Sequence, residues 1–192
     1  MLTQDKEITT PDYWDRVYNG ANNNAKVDAS NTVRPPNPFN RFEWVAKYAE
    51  GPHVLGVGSG HAHVEKAIKN ANPEWKVYAS DQCEGAKKAA RYQPYFIVSA
   101  YDIGKVWDDK TFNTVIITQA LEYIEHQEKF FREAKRVGDK LLMSVPIGEM
   151  AKWSQLRIYT EQNVRQLLEP FGVIENFERH EDLLLVKLCF HD

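Results

Sequence analysis

The residues with the clearest chemical potential are a run of glycines and, some distance along the chain, a carboxylate. Gly56, Gly58 and Gly60 stand at alternate positions at the end of an apolar run, and Asp81 ends a second apolar run. Because glycine has no Cβ, such a turn lets the backbone approach a ligand closely. A carboxylate about 20 residues further on is placed to accept hydrogen bonds from ribose hydroxyls. The spacing predicts a nucleotide-binding unit of strand, glycine turn, helix over residues 62–71 and second strand.

The glycine pattern limits which nucleotide fits. A dinucleotide site needs G-x-G-x-x-G, whose third glycine lets the helix pack against the strand. Here Gly60 is followed by His61, Ala62 and His63, and the phosphate-loop pattern G-x-x-x-x-G-K-[ST] does not occur. A nicotinamide-dependent oxidoreductase is therefore disfavoured, and a ligand with ribose and adenine but no phosphate fits better. By itself the turn is also compatible with an ordinary strand-to-helix connection.

Further motifs follow in a familiar order. The run Val54–Gly60 resembles the first motif of the class I S-adenosylmethionine-dependent methyltransferases, particularly their small-molecule group, and Asp81 resembles the ribose-binding acid. Leu121–His126 and Glu128–Val137 resemble the exit of the family's fourth strand and its next helix, and Leu141–Pro146 resembles its fifth strand. The resemblance implies an α/β fold: one Rossmann-like domain with a seven-stranded, mostly parallel sheet and helices on both faces. It also implies S-adenosylmethionine as cofactor and S-adenosylhomocysteine as product.

The resemblance assigns cofactor-binding roles to particular positions. Asp102 would accept a hydrogen bond from the adenine amine, Ile103 would pack on the ring, and the run Gln119-Ala120-Leu121 would offer backbone carbonyls to the methionine ammonium. The full predicted set is Gly56, Gly58, Ser59, Gly60, Asp81, Gln82, Asp102, Ile103 and Gln119.

Two positions depart from the family pattern. Gly56 stands where the family usually has an acid that helps to hold the methionine ammonium, and Ala62 replaces the motif's final glycine. Glu65, one helical turn on, or a water network would have to take over the role of the acid. A catalytically degenerate cofactor-binding domain with a regulatory or interaction role is therefore the alternative to a methyltransferase.

The motifs assign no catalytic residue, and the candidate is His126. An imidazole with a pKa near ~6.5 can serve as a general base for a hydroxyl or an amine, but a solvated residue at a helix start explains His126 as well. The resemblance places five other side chains around the acceptor, with surface packing as the alternative for the last three: Glu122, Glu125, Trp153, Arg157 and Tyr159. The acceptor is expected to be a small molecule with an O, N or C nucleophile.

Other kinds of site are disfavoured. His61, His63 and Glu65 alternate along an expected helix and should point to different faces, so no metal site is predicted. The fourth strand ends in Gln119-Ala120-Leu121-Glu122 and not in the Asn/Asp-Pro-Pro-Tyr/Phe tetrad of base-amino methyltransferases. The net charge of -3, from 24 basic and 27 acidic residues, gives no single-sign field that would attract nucleic acid or an anionic membrane. We therefore expect neither as a partner, and the oligomeric state stays open.

Composition predicts one domain in a reducing compartment. The 192 residues are 43% hydrophobic, which suffices for one sizeable core. Two cysteines, Cys83 and Cys189, are too few for a disulfide framework. We find neither a basic-then-apolar leader nor an apolar run of membrane-spanning length, and a cytoplasmic location is expected.

Periodicity alternates between strand and helix, as in a covered α/β sheet. A helix is predicted from Asn40 to about Glu50 with Glu43 in a capping box, and another begins after Thr160. Residues 1–39, with a short aromatic helix over 11–18 and an Asn-rich and Pro-rich loop, form a possible lid, and residues 40–192 form the methyltransferase-like domain. The predicted strands are 54–57, 76–80, 95–98, 114–118, 140–145, 173–179 and 183–190.

Overall fold

The computed structural model describes residues 10–19, 40–147 and 157–191. Within these ranges, seven strands form one sheet in the order β3-β2-β1-β4-β5-β7-β6. Strands β1 to β5 pair in parallel, and β7 runs antiparallel to both β5 and β6. The predicted seven-stranded, mostly parallel α/β sheet is therefore confirmed. The strands are β1 His53–Val57, β2 Lys76–Asp81, β3 Tyr95–Ile97, β4 Phe112–Thr118, β5 Gly138–Pro146, β6 Gly172–His180 and β7 Leu183–Phe190.

Helices cover both faces of this sheet. They are α1 Pro11–Tyr18, α2 Arg41–Tyr48, α3 His63–Ala71, α4 Glu84–Ala90, α5 Ile103–Val106, α6 Gln127–Val137 and α7 Glu161–Leu168, with a 3-10 turn at Leu121–Tyr123. The predicted N-caps are confirmed. The side chain of Asn40 accepts from the amide of Phe42 and donates to the side chain of Glu43, and Thr160 forms a capping box. Helix α2 ends at Tyr48, before the expected Glu50, because Ala49 adopts an extended conformation.

The core lies in two layers because alternate residues of β1 point to opposite faces. Leu55 packs in one apolar cluster with Phe130 and Phe131 of α6, and Val54 packs in the other with Trp44 of α2 and Ile68 of α3. These side chains are buried. The amphipathic helices therefore fix both faces of the strand that leads into the glycine turn.

The strand order reverses between β1 and β4, which lie side by side near the middle of the sheet. Successive strands extend to opposite sides of this point, so the loops after β1 and β4 separate and leave a crevice at their carboxyl ends. In open α/β sheets this is where ligands bind. Gly58 follows β1 and Gln119 follows β4, so both predicted site segments begin at the crevice.

The predicted short aromatic helix is confirmed as α1, which lies against α4. The amide of Gly85, in the first turn of α4, donates to Asp15 Oδ1 at 2.6 Å. Trp14 packs edge-on against Tyr123 with ring centroids 5.0 Å apart. The loop over residues 20–39 and Trp153 lie outside the described residues. In the ranges given above, no helix has the length and apolarity needed to cross a membrane.

Candidate active site

The glycine turn after β1 is tightly enclosed. Gly58 and Gly60 have φ angles of +64° and +51°, in the left-handed region that glycine adopts without strain. A Cβ on Gly58 would lie 2.6 Å from Ala120 Cβ, and one on Gly60 would lie 2.6 Å from the Tyr18 hydroxyl. The turn therefore fits between the exit of β4 and helix α1 only because both positions lack side chains.

Asp81, at the end of β2, holds the turn from the other side. Its Oδ2 accepts from the amide of Gly60 at 3.1 Å, and its Oδ1 accepts from the amide of Cys83 at 3.3 Å. Burial raises the pKa of Asp81, and the amide bonds oppose that rise. The carboxylate faces the crevice, where its remaining lone pairs can accept from a ligand.

Glu65 occupies the space beside Gly56. A Cβ built on Gly56 would overlap Glu65 Oε1 and lie 2.7 Å from both Glu65 Cδ and Ser59 Oγ. The Ser59 hydroxyl donates to Oε1 at 2.6 Å, whereas Oε2 is buried without a hydrogen-bond partner. Glu65 is 2% exposed, and this burial raises its pKa to about 7. A carboxylate thus lies next to position 56, although it comes from α3 and not from β1.

The exit of β4 differs from the expectation in its backbone bonding. Gln119 adopts φ +51° and lines the crevice, with its amide bonded to Ser144 at 3.0 Å. The carbonyl of Ala120 already accepts from Tyr123, and that of Leu121 accepts from Ile124 and from the Gln127 side chain. Two of the three carbonyls predicted to face a ligand ammonium therefore already accept hydrogen bonds within the chain, and their role towards a ligand stays a prediction.

The crevice itself encloses about 340 Å³, within the range of small-molecule pockets. The glycine turn and Asp81 form one side, and the loop after β3 forms another. Trp14 and Tyr18 of α1 line it as well.

Comparison with known proteins identifies this arrangement. The model of a methyltransferase domain family matches residues 55–140, which include the glycine turn, Asp81 and the exit of β4. Residues 55–140 therefore carry a methyltransferase domain, and the fold is that of the class I S-adenosylmethionine-dependent methyltransferases. No curated protein matches it in sequence.

Solved structures share the methyltransferase fold at low sequence identity. A S-adenosylmethionine-dependent methyltransferase from Aquifex aeolicus is 19% identical, with a TM-score of 0.64 over 78% of this chain and 89% of its own. A protein from a study of disulfide-to-thioacetal conversion in echinomycin biosynthesis is 15% identical, with a TM-score of 0.72 over 94% of this chain and 93% of its own. The complex between the Trm112 methyltransferase activator of Haloferax volcanii and a protein described as a methyltransferase gives 12% identity and a TM-score of 0.65, over 78% of this chain and 88% of that one.

Asp102 and Ile103, the pair expected at the adenine ring, do not line the crevice of this methyltransferase. Asp102 caps α5, and its carboxylate is 38% exposed and pairs with Lys105 at 2.9 Å. Ile103 is fully buried in the core beneath. The part of this loop that lines the crevice is Val98–Tyr101. The structure therefore places Asp102 and Ile103 away from the crevice, because the loop turns away from it after Tyr101.

His126 does not face the crevice of the methyltransferase. It is the exposed residue before α6, and its amide donates to the Tyr101 hydroxyl at 3.0 Å. The helix-start alternative describes its position, and its proposed role as a general base loses its structural support. Glu125 is likewise exposed, while Glu122 is buried and lines the crevice.

Arg157 and Tyr159 hold the loop before α6 and do not line the crevice. The guanidinium of Arg157 donates to the carbonyls of Ile124 at 2.6 Å and Glu125 at 2.7 Å. The buried Tyr159 hydroxyl bonds to the side chain of Gln127. For these two residues, the packing interpretation therefore agrees with the contacts.

The two histidines after the glycine turn point the same way, contrary to the expectation. The rings of His61 and His63 stack 5.6 Å apart at 11° because His61 precedes α3 and is not bound by the helical repeat. Burial is the main cause that lowers the pKa of each ring, so both favour the neutral form. The described parts of the chain contain no group of three potential metal ligands.

Sequence reasoning missed Arg41, the first residue of α2, which lines the crevice together with Phe42. The only signal was indirect: Asn40 was recognised as a cap, and the residue after a cap lies at the amino end of its helix. The direction in which that helix end faces depends on the tertiary structure and cannot be predicted from the local sequence.

Proposed function

We propose that this methyltransferase binds S-adenosylmethionine in the crevice between β1 and β4 and transfers its methyl group to a small-molecule nucleophile. The observation that carries the proposal is the unpartnered Oε2 of Glu65, buried beside a glycine turn that is also held by Asp81. Three requirements of the cofactor are then met by neighbouring groups.

Each group suits one part of the cofactor. Gly58 and Gly60 leave room for close approach of the backbone, and Asp81 can accept from two ribose hydroxyls. Glu65 can accept from the methionine ammonium through Oε2, since Ser59 already uses Oε1. A buried acceptor without a partner is costly, and a charged donor would offset that cost. The donor set of the crevice therefore fits the cofactor.

When bound, S-adenosylmethionine would supply an activated methyl group, and the electrons of its carbon–sulfur bond would stay with sulfur as the nucleophile's lone pair bonds to the methyl carbon. The protein has to orient the nucleophile and exclude water. Trp14, Tyr18 and Tyr123 supply aromatic walls for that purpose. We include α1, within the proposed lid segment, as part of this enclosure.

A small acceptor is favoured over a macromolecule. The crevice of about 340 Å³ has to hold the cofactor as well, and Trp14 and Tyr18 of α1 line it. The net charge of -3 offers no field for nucleic acid. The degenerate alternative has no support: the replacement of the motif acid, which suggested it, is matched by Glu65 in the same place.

Isothermal calorimetry tests the proposal on the full chain. S-adenosylhomocysteine and S-adenosylmethionine should give binding heat, and NAD should give none. Gly58→Val should abolish binding because its side chain fills the turn, and Val173→Ala, on an exposed residue of β6, should bind normally. Heat with NAD alone would overturn the proposal.

A further inference from the structure

Two ionisable side chains, the carboxyl group of Glu122 and the guanidinium of Arg41, line the same crevice and form no ion pair with each other. Glu122, in the 3-10 turn after β4, is 2% exposed, and its Oε2 has no hydrogen-bond partner. Arg41, at the start of α2, has a buried Nε that is also without a partner. No ion pair within 4.0 Å joins them among the side chains that the structure describes.

This arrangement is costly in the absence of a ligand. A charge removed from water loses several kcal/mol of hydration, and buried charges are normally paired or hydrogen-bonded. Burial raises the pKa of Glu122 to about 8, against the opposing charge of Arg41. Burial also lowers the pKa of Arg41. The two groups interact electrostatically, while Glu122 Oε2 and Arg41 Nε form no hydrogen bond.

Their position places them beside the cofactor turn. Ala120, two residues before Glu122, touches the space above Gly58. Tyr123, the next residue, packs against Trp14 of α1. On the other wall, the Arg41 guanidinium lies 4.7 Å from the centre of the Phe42 ring. Arg41 and Glu122 therefore line the same crevice as the glycine turn and these aromatic rings. Asp81 and Glu65, which also line it, are assigned to the cofactor.

We propose that Arg41 and Glu122 form the acceptor subsite, and that the acceptor is a small amino acid-like molecule whose amino group lies at Glu122 and whose carboxylate lies at Arg41. The inference rests on the proposed function and deepens it by naming the substrate class. The nitrogen at Glu122 is the atom that receives the methyl group.

The pairing of charges selects this class over its simpler relatives. An amine without an acid group would satisfy Glu122 and leave the Arg41 Nε unpaired. A carboxylate without an amine would pair with Arg41 and leave Glu122 Oε2 without a hydrogen-bond donor. A molecule that carries both groups satisfies both buried atoms, and an unsatisfied buried polar atom is a common basis of strong discrimination.

Glu122 can also accept the proton that an amine acceptor has to lose before it is methylated. An ammonium has no free lone pair, so one N–H bond has to break before the nitrogen can attack carbon. The ionised Glu122 takes that proton as a new O–H bond, and the electron pair of the N–H bond becomes the nucleophilic lone pair. After methyl transfer, the positive charge that develops on nitrogen faces Glu122, which returns its proton to water.

Release of S-adenosylhomocysteine, measured with the full chain and S-adenosylmethionine, tests the inference. The probes are the proteinogenic amino acids, β-alanine, γ-aminobutyrate and the aminobenzoates, each with the matching amine and the matching carboxylate. We expect turnover from molecules with both groups, at least 10-fold above either single-group relative, and mass spectrometry should place the methyl group on nitrogen. Methylation of the amine-only or carboxylate-only probes at equal rates would overturn the inference.

Variants separate this inference from the proposed function. Glu122→Gln should lower kcat at least 10-fold and Arg41→Gln should raise the KM of the acceptor 10-fold or more, with Glu122→Asp retaining part of the activity. Both Gln variants should keep wild-type affinity for S-adenosylhomocysteine. Intact cofactor binding without turnover of any probe with both groups would overturn the inference alone, whereas loss of cofactor binding by the wild-type chain would overturn the proposed function.

Discussion

The carboxylate of Glu65 fills the space that a side chain on Gly56 would need. The acid that the family usually carries on β1 and the acid that this chain carries on α3 therefore compete for one volume, and only one of them can be present.

Gly56→Asp should consequently weaken the protein and its cofactor site, although the sequence alone suggests that restoring the motif acid would tighten binding. The new side chain overlaps Glu65 and buries a second carboxylate beside it, so we expect a loss of about 3 kcal/mol in the free energy of unfolding. Urea denaturation measures this loss. In the Glu65→Ala background the same substitution should cost much less, and equal costs in both backgrounds would show that the two sites do not interact.

Glu65→Gln should weaken the binding of S-adenosylhomocysteine about 10-fold or more, because a neutral amide accepts less strongly from an ammonium. Glu74→Gln, on an exposed glutamate, is the matched control. Calorimetry should show no change for the control. Equal affinities of the two variants would mean that the ammonium is held by other groups.

Cofactor binding should release protons near neutral pH. The pKa of Glu65 is about 7 in the free protein, and a bound ammonium favours the ionised form, so affinity should rise as the pH increases towards 7 and level off above it. Calorimetry at pH 6.5 in phosphate and in Tris, which differ in ionisation enthalpy, measures the released fraction. Glu65→Gln should remove most of the buffer dependence, and a buffer-independent wild-type heat would contradict the assignment.

The same carboxyl group should make stability depend on pH in an unusual direction. Its folded pKa, about 7, lies above the ordinary glutamate value of 4.5, so the native state holds the proton more tightly between these two values. The contribution is fully present below pH 4.5 and is lost as the pH rises towards 7, by about 3 kcal/mol. Comparison of wild type and Glu65→Gln by urea denaturation at pH 5 and pH 8 isolates it, and parallel pH profiles would refute it.

Asp81→Asn and Asp102→Asn form a matched pair that separates the structural assignment from the motif-based one. Asp81 faces the crevice, so its variant should bind S-adenosylhomocysteine about 10-fold to 100-fold more weakly. Asp102 pairs with Lys105 at the surface, so its variant should bind normally. Thermal unfolding of both variants controls for folding, since Asp81 also holds the Gly60 amide. Weak binding by the Asp102 variant would restore its adenine role.

Helix α1 should contribute to the enclosed site. A chain that begins at Asn40 loses Trp14 and Tyr18 from the crevice, and we expect weaker cofactor binding and no turnover. Limited proteolysis with and without S-adenosylhomocysteine tests whether residues 20–39 behave as a lid, because ligand should then protect them. Full turnover by the shortened chain would show that the segment is a passive extension.

The sequence predicted the sheet well because each strand carries its own local pattern. Continuous apolar runs mark β4 and β5, which are buried on both faces, and the ends of the β1 and β2 runs were given by glycines and Asp81. The helix cap at Thr160 was equally predictable, since it depends on residues only three positions apart.

The site was less predictable because its key contacts join distant segments. Asp102 was chosen by its place in a motif, and the turn of the loop after Tyr101 is not encoded in that motif. The stacking of His61 on His63 depends on where α3 begins. If the predicted start of the helix is wrong by one residue, the predicted directions of the two rings are wrong as well. The electrostatic interaction between Arg41 and Glu122 joins α2 to the exit of β4, so it can be found only in the folded chain.

The acid of this site stands at position 65 on α3 and not at position 56 on β1. This shift also constrains how the sequence of such a chain can evolve. Starting from a protein with the acid on β1, gaining Glu65 first creates an overcrowded site, and losing the strand acid first leaves the site with no acid at all. Neither single step preserves both stability and binding, so the two positions are expected to vary together among homologous chains. A search pattern that demands the strand acid alone would pass over every member of such a lineage.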